Sequence, residues 1–186
     1  MHQFGVAILP SLNPQSPLLN FQQGNIRSIC LDRTFDVVIA LFHVMSYQVT
    51  NADLLAVFST ARLHLKPGGI FIFDCWYGPA VLTDRPTIRV RRMEDEAISV
   101  TRIAEPAMHP NDNLVDVNYH ILVRDKATGE VEELRETHTM RYLFAQEVRL
   151  LFDASGLRMK ELLEFMSEQS PGFHTWSAVF IGTKEG

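Results

Sequence analysis

Apolar positions along the chain follow two different rhythms. From Phe35 to Leu41 the run FDVVIAL is continuously apolar and β-branched after one aspartate, and IFIFDCW (Ile70 to Trp76) repeats the pattern. Such runs suit strands buried on both faces, as in a parallel sheet. Between them lies TNADLLAVFSTARLHL. Thr50 followed by Asp53 is a capping-box-like start, and Leu54, Phe58, Ala61 and Leu65 fall on one helical face. The turn Lys66 to Gly69 (KPGG) then stops the helix. Strand, capped helix, turn and strand make a βαβ unit.

After Trp76 the rhythm changes to alternation. Ile88 and Val90 alternate with Arg89 and Arg91, and Ile98, Val100 and Arg102 share another face. Val115, Val117, Tyr119, Ile121 and Val123 alternate with polar residues, DKATGE reads as a hairpin loop, and VEELRETHTMRYL returns. This predicts an antiparallel meander with one wet face. With no turn-rich linker isolating it, residues 85–141 read as an insertion between core segments 1–84 and 142–186. AQEVRLLFDASG is an amphipathic helix with Val148, Leu151 and Phe152 inward and Gly156 as its stop. LRMKELLEFM fits helix or strand, and TWSAVFIGTKE reads as a final strand. Ahead of all this, FGVAILP fits a short strand, and PSLNPQSPLLN an extended, proline-rich lead-in.

Composition narrows the classes. With 186 residues the chain can build one domain with a full core. A net charge of −5 gives no electrostatic case for nucleic acid. No apolar run approaches the roughly 20 residues of a membrane span, and no basic segment precedes an apolar stretch at the start. Cys30 and Cys75 lack metal spacing and read as reduced, buried thiols. The expectation is a cytoplasmic protein with no membrane, nucleic-acid or metal partner.

Four segments together resemble the class I S-adenosylmethionine (SAM) dependent methyltransferases. FQQGNIRSICL resembles that family's third strand and following loop, FDVVIALFHVMSY its fourth strand and loop, ARLHLKPGGIFIFD the helix, turn and fifth strand, and EVRLLFDASGL the helix before the sixth strand. The Leu-Lys-Pro-Gly-Gly turn feeding an apolar strand is the most specific of them. The resemblance implies an α/β fold with a Rossmann-like sheet, incomplete at its amino end and carrying the antiparallel β insertion. It also implies methyl transfer from SAM to a small molecule at an amine nitrogen. The insertion resembles the β-rich substrate region of the small-molecule and amino-sugar N-methyltransferase branch. Asn25, Ile26 and Arg27 would then cup the adenine, with Asn25 standing where the family usually has aspartate. Leu41, Phe42 and His43 would line the methionine end of the cofactor. The family's Gly-x-Gly-x-Gly loop, first strand and ribose-binding acid have no counterpart in this sequence, so it reads as amino-terminally truncated. Without that first strand, Phe35 to Leu41 has an unpaired edge, which invites a homodimer. Segment Phe4 to Leu9 is a short candidate to fill the place. The rival readings are an inactive or dimerising scaffold and a dehydrogenase, the latter disfavoured by the Lys-Pro-Gly-Gly turn.

Methyl transfer is an in-line displacement in which the protein mainly aligns the reactants, an effect worth about 7–11 kcal/mol. A base is needed only if the nucleophile must first lose a proton. His43 is at the carboxyl end of a central strand, where open α/β sheets bind ligands. As a histidine (reference pKa about 6.5) it can serve as that base, or merely shape the pocket. Tyr47 is the second catalytic candidate, through its hydroxyl, or else a core-capping ring. Asp74, Trp76 and Tyr77 follow the second strand. The acid can pair with a cationic amine or hold a loop, and the rings can form a substrate wall or simply pack. His138 and Tyr142, with Met140, share one face of the returning strand and can point into the site or pack in the sheet. Arg89, Arg91 and Arg92 form a basic strip, suited to a phosphorylated or nucleotide-linked substrate or to a solvated strand face balanced by neighbouring acids.

Overall fold

The computed structural model describes residues 21–186, so the Phe4 to Leu9 segment and the proline-rich lead-in lie outside the described residues. Chain order is β1 (Phe35–Ala40), a 3-10 turn (Val44–Tyr47), α1 (Asn51–His64), β2 (Leu65–Tyr77), α2 (Gly78–Thr83), β3 (Arg89–Glu94), β4 (Ile98–His109), β5 (Leu114–Asp125), β6 (Val131–Leu143), α3 (Ala145–Ala154), β7 (Leu157–Glu164) and β8 (Ser177–Lys184).

β1 and β2 pair in parallel through α1, from Val37 opposite Ile70 to Ala40 opposite Phe73. The helix starts as its sequence predicts. Thr50 Oγ1 accepts from the Asp53 N–H at 3.0 Å and donates to Asp53 Oδ2 at 2.8 Å, which satisfies one orphan donor of the first turn. It stops one step before Lys66, because Leu65 is already extended. Lys66 to Gly69 form a bulge, since the step from Phe35 to Val37 matches the longer step from Leu65 to Ile70. Gly68 turns it with a φ of 77°, a conformation that a side chain would strain.

β8 pairs antiparallel with the other edge of β2, and β7 pairs with β8. LRMKELLE is therefore a strand: Gly156 (φ 66°) closes the turn after α3, and β8 offers the edge that satisfies its backbone. β1 departs from the expectation of burial on both faces. Val37 is 46% and Ile39 62% exposed, because among the described residues β1 pairs only with β2 and nothing covers that face.

The pleat of β2 sorts its side chains. Phe71, Phe73, Cys75 and Tyr77 join the cluster that holds Phe58 of α1, Phe152 of α3 and Phe180 of β8. Phe58 sits at its centre, edge-on to Phe71 and Phe73 at 5.5 Å each and to Phe152 at 5.0 Å. Asp74 and Trp76 alternate to the opposite face.

β3 to β6 form the expected antiparallel meander, with a turn at the expected hairpin loop. It joins the main sheet at one place, where Trp76 and Tyr77 pair in parallel with Tyr142 and Leu143. A second cluster of Val81, Val115, Val117, Met140 and Tyr142 fills its base. No helix among the described residues is long and apolar enough to cross a membrane.

Candidate active site

β1 ends opposite Phe73, and β6 takes up the same edge of β2 only at Trp76. The opening between them lies at the carboxyl ends of the parallel strands, where open α/β sheets form ligand crevices. Residues 41–47 turn through it. Phe42 and His43 both have φ of 62°, and left-handed backbone costs a residue with a side chain about 1–2 kcal/mol.

Asp74 holds that turn in place. Its Oδ1 accepts the His43 N–H at 3.0 Å, its Oδ2 accepts from Ser177 Oγ at 3.2 Å, and His43 Nδ1 lies 3.0 Å from Oδ2. The ring contact is close but is not a well-aligned hydrogen bond. Burial alone would raise the Asp74 carboxyl, but the His43 side chain, the His43 N–H and Ser177 hold it below the usual 3.8. The Trp76 N–H, past the reach of β1, donates to Ser46 Oγ at 2.9 Å.

A cleft of about 490 Å³ opens beside this turn. The main sheet and its loop contribute His43, Trp76, Trp176 and Ser177, and the meander contributes Arg89, Arg102, Ala104, Pro106, Val117 and Tyr119. Trp76 and Trp176 meet edge to face at 5.6 Å, and the Trp176 indole donates to Asp84 Oδ2 at 3.0 Å.

Of the residues singled out in the sequence, His43, Trp76 and Arg89 line this cleft. Asp74 does not meet it. The carboxylate is 1% exposed beneath His43, an arrangement that matches the loop-holding alternative. Tyr77 takes the packing alternative. One step along the pleat from Trp76, it faces the helix-side core. Tyr142 is fully buried at the base of the meander, edge-on to Phe144 at 5.9 Å, with its hydroxyl unpartnered among the described residues.

Tyr47 and His138 come together behind the cleft wall. The tyrosine hydroxyl is 2.9 Å from His138 Nδ1, and His138 Nε2 is 3.3 Å from Glu136 Oε2. If Nε2 donates to the carboxylate, Nδ1 accepts from the hydroxyl. Burial, reinforced by Tyr119, raises the Tyr47 hydroxyl above its usual 10.0. The Tyr119 ring, edge-on to His138 at 5.2 Å, separates this chain from the cleft.

The three adenine candidates form a turn beside α1. Arg27 Nη1 meets Asp53 Oδ1 at 2.7 Å, and Ile26 packs against the cluster containing Met45, which follows the His43 turn. Asn25 Oδ1 accepts from both Arg27 N and Nε, at 3.0 and 3.2 Å. What Asn25 has left to offer is its amide NH₂. Leu41 is half-buried and Phe42 is 80% exposed.

Sequence reasoning passed over Trp176, Ser177 and Tyr119 as site residues. Tyr119 was within reach, since it alternates with Val117 onto one face. Trp176 and Ser177 arrive only through the register that sets Ser177 opposite Trp76.

No family model matches the chain. Over 146 residues it is 26% identical to dTDP-3-amino-3,4,6-trideoxy-alpha-D-glucopyranose N,N-dimethyltransferase of Streptomyces venezuelae, covering 78% of this chain and 60% of that protein. Over 177 residues it is 24% identical to dTDP-3-amino-3,6-dideoxy-alpha-D-glucopyranose N,N-dimethyltransferase of Streptomyces fradiae, covering 95% of this chain and 64% of that protein. Among solved structures it resembles an S-adenosylmethionine-dependent methyltransferase from Clostridium acetobutylicum, with a TM-score of 0.73 and 21% identity over 88% of this chain and 63% of that one. The chain has the class I methyltransferase fold. A sugar N-methyltransferase from Streptoalloteichus shares that fold, with a TM-score of 0.71 and 22% identity over 88% of this chain and 61% of that one. The chain spans less than two thirds of the length of these two curated relatives, 60% and 64%.

Proposed function

We propose that this chain serves SAM-dependent methyl transfer to the amine nitrogen of a sugar-like small molecule. The observation that carries the reading is the His43–Asp74 pair, opening on an aromatic-walled cleft at the carboxyl ends of parallel strands. The curated relatives named above, each an N,N-dimethyltransferase of an amino sugar, support it.

The residues present fit one side of the cofactor. The Asn25–Arg27 turn and Leu41 to His43 are drawn to the same end of the sheet by the Arg27–Asp53 bond and by Ile26. The exposed Phe42 ring and half-buried Leu41 offer the apolar surface that an adenosyl or methionine group needs. When bound, SAM supplies an electrophilic methyl group on a sulfonium.

The chain's own residues prepare the nucleophile. An ammonium must lose a proton before its lone pair can attack. With Nδ1–H turned to Asp74, His43 presents Nε2 as the acceptor, and the buried carboxylate stabilises the imidazolium that results. Trp76 and Trp176 give the ammonium aromatic faces to rest on. Tyr47, His138 and Glu136 brace the Tyr119 wall.

His43→Gln tests this. The amide keeps the size and polarity of the ring but takes up no proton. We expect kcat to fall by about 100-fold, and the acid limb of the kcat/KM profile to flatten. A variant that keeps both the rate and the acid limb would rule His43 out as the base.

A further inference from the structure

Asp84 is the one acidic residue that lines the cleft among the described residues. It caps the carboxyl end of α2, where its N–H donates to Ala80 O at 2.8 Å. A helix favours cations at that end, so α2 gains nothing from a carboxylate there. Among the described residues Asp84 forms no ion pair, whereas Asp36, Asp53, Glu133 and Glu147 each meet a cation of the chain. Its side chain has a single partner, the Trp176 indole, which donates to Oδ2 at 3.0 Å. Oδ1 keeps its full capacity to accept.

The indole bond is not what holds this corner together. Thr83 Oγ1 donates to Phe173 O at 2.8 Å, and the Tyr77 N–H donates to Trp176 O at 3.0 Å. The segment before β8 is thus already tied to α2 and to the end of β2, and the indole is left to aim the carboxylate. Trp176 and Ser177 are consecutive, and each serves one acid. Ser177 Oγ donates to the buried Asp74 beneath His43, and Trp176 donates to the open Asp84. One short stretch of chain therefore anchors both the support of His43 and the carboxylate that faces the cleft. Arg89 and Arg102 line the cleft from the meander, with Arg102 held 5.3 Å over the Tyr119 ring. A cationic group is repelled from that wall and drawn to the one made by Trp76, Trp176 and Asp84, where ring faces and a carboxylate both favour it.

We propose that Asp84 is the anionic seat for the ammonium group of the substrate, and that it selects an amine over a hydroxyl at the position His43 serves. The inference rests on the methyl-transfer reading and assigns that reading its specificity-determining residue. Asp84 Oδ1 accepts a charge-assisted hydrogen bond from the ammonium, Trp76 and Trp176 wall it in, and His43 takes one of its protons.

Calorimetric titration with a matched pair of ligands tests the seat: thymidine diphosphate 3-amino-3,6-dideoxyglucose, and its counterpart with a hydroxyl in place of the amine. The natural chain should bind the amine about tenfold tighter than the hydroxyl. Asp84→Asn keeps the size of the side chain and an oxygen for Trp176 but removes the charge. It should abolish the preference by weakening the amine about tenfold, while the hydroxyl counterpart binds as before. Asp84 is exposed, so the variant should fold as the natural chain does. Equal affinity for the two ligands in the natural chain, or a preference that survives Asp84→Asn, overturns the seat. So does an equal loss for both ligands, which marks a merely structural role. The titration needs neither SAM nor turnover. Methyl transfer together with a preference indifferent to Asp84 refutes this inference alone. A preference that depends on Asp84, with no methyl transferred, refutes the methyl-transfer reading instead. Failure of both ligands to bind overturns the two together.

Discussion

Asp74→Asn is expected to cost both activity and stability. The carboxylate lies beneath His43, where it accepts the His43 and Ser177 hydrogen bonds and lies against the imidazole. Asparagine keeps the volume but offers a single acceptor and no charge. Hydrogen bonds to a buried charged group are worth about 1.5–3 kcal/mol, and stability should fall by about that much. The turn at Phe42 and His43 then loses the anchor that offsets its left-handed backbone. Misplacing His43, the proposed base, should cost roughly 100-fold in rate, and kcat should drop accordingly. The pH dependence has a definite sign. The Asp74 carboxyl is held below its usual 3.8 in the folded state, so its contribution is complete above that value and is lost as pH falls through the folded value. The stability gap between the natural chain and Asp74→Asn should therefore be constant near neutrality and close below about pH 4. Urea denaturation across pH measures it. A gap that widened toward acid would contradict the role given to Asp74.

Phe58→Ala should produce the largest loss of stability without touching the cleft. The ring is fully buried, edge-on to three other phenylalanines, and links α1 to β2 and α3. Removing such a ring typically costs about 3–5 kcal/mol. The urea midpoint should fall by that equivalent with its slope unchanged, while methyl transfer per folded molecule stays near that of the natural chain. A loss below about 1 kcal/mol would mean that the cluster collapses around the gap more completely than its close packing suggests.

Much of the fold was legible because local signals and burial agreed. Thr50 and Asp53 announced α1, Gly156 announced the end of α3, and period-two alternation announced the meander. β7 was not legible: LRMKELLE carries no periodicity that separates helix from strand, and only the edge offered by β8 decides between them. The site was half legible. His43 stood out as a histidine at a strand end, and Trp76 as an aromatic beside it. That Asp74 could hold a loop was legible, but which loop was not, because its partner His43 lies on the far side of α1. The pleat separates Tyr77 from Trp76 and sends it into the helix-side core. The same pleat divides the arginine strip, with Arg89 and Arg91 on the cleft face and Arg92 outside. Alternation alone could have shown that.

In the proposed reaction, the cleft beside His43 and Asp74 presents an amine for methylation. Mass spectrometry of a nucleotide-linked amino sugar incubated with the protein and methyl-labelled SAM decides whether it does. The expected result is labelled methyl on the sugar nitrogen, abolished or strongly slowed in His43→Gln. Binding of both ligands with no label on nitrogen, or label on a hydroxyl oxygen instead, would contradict it.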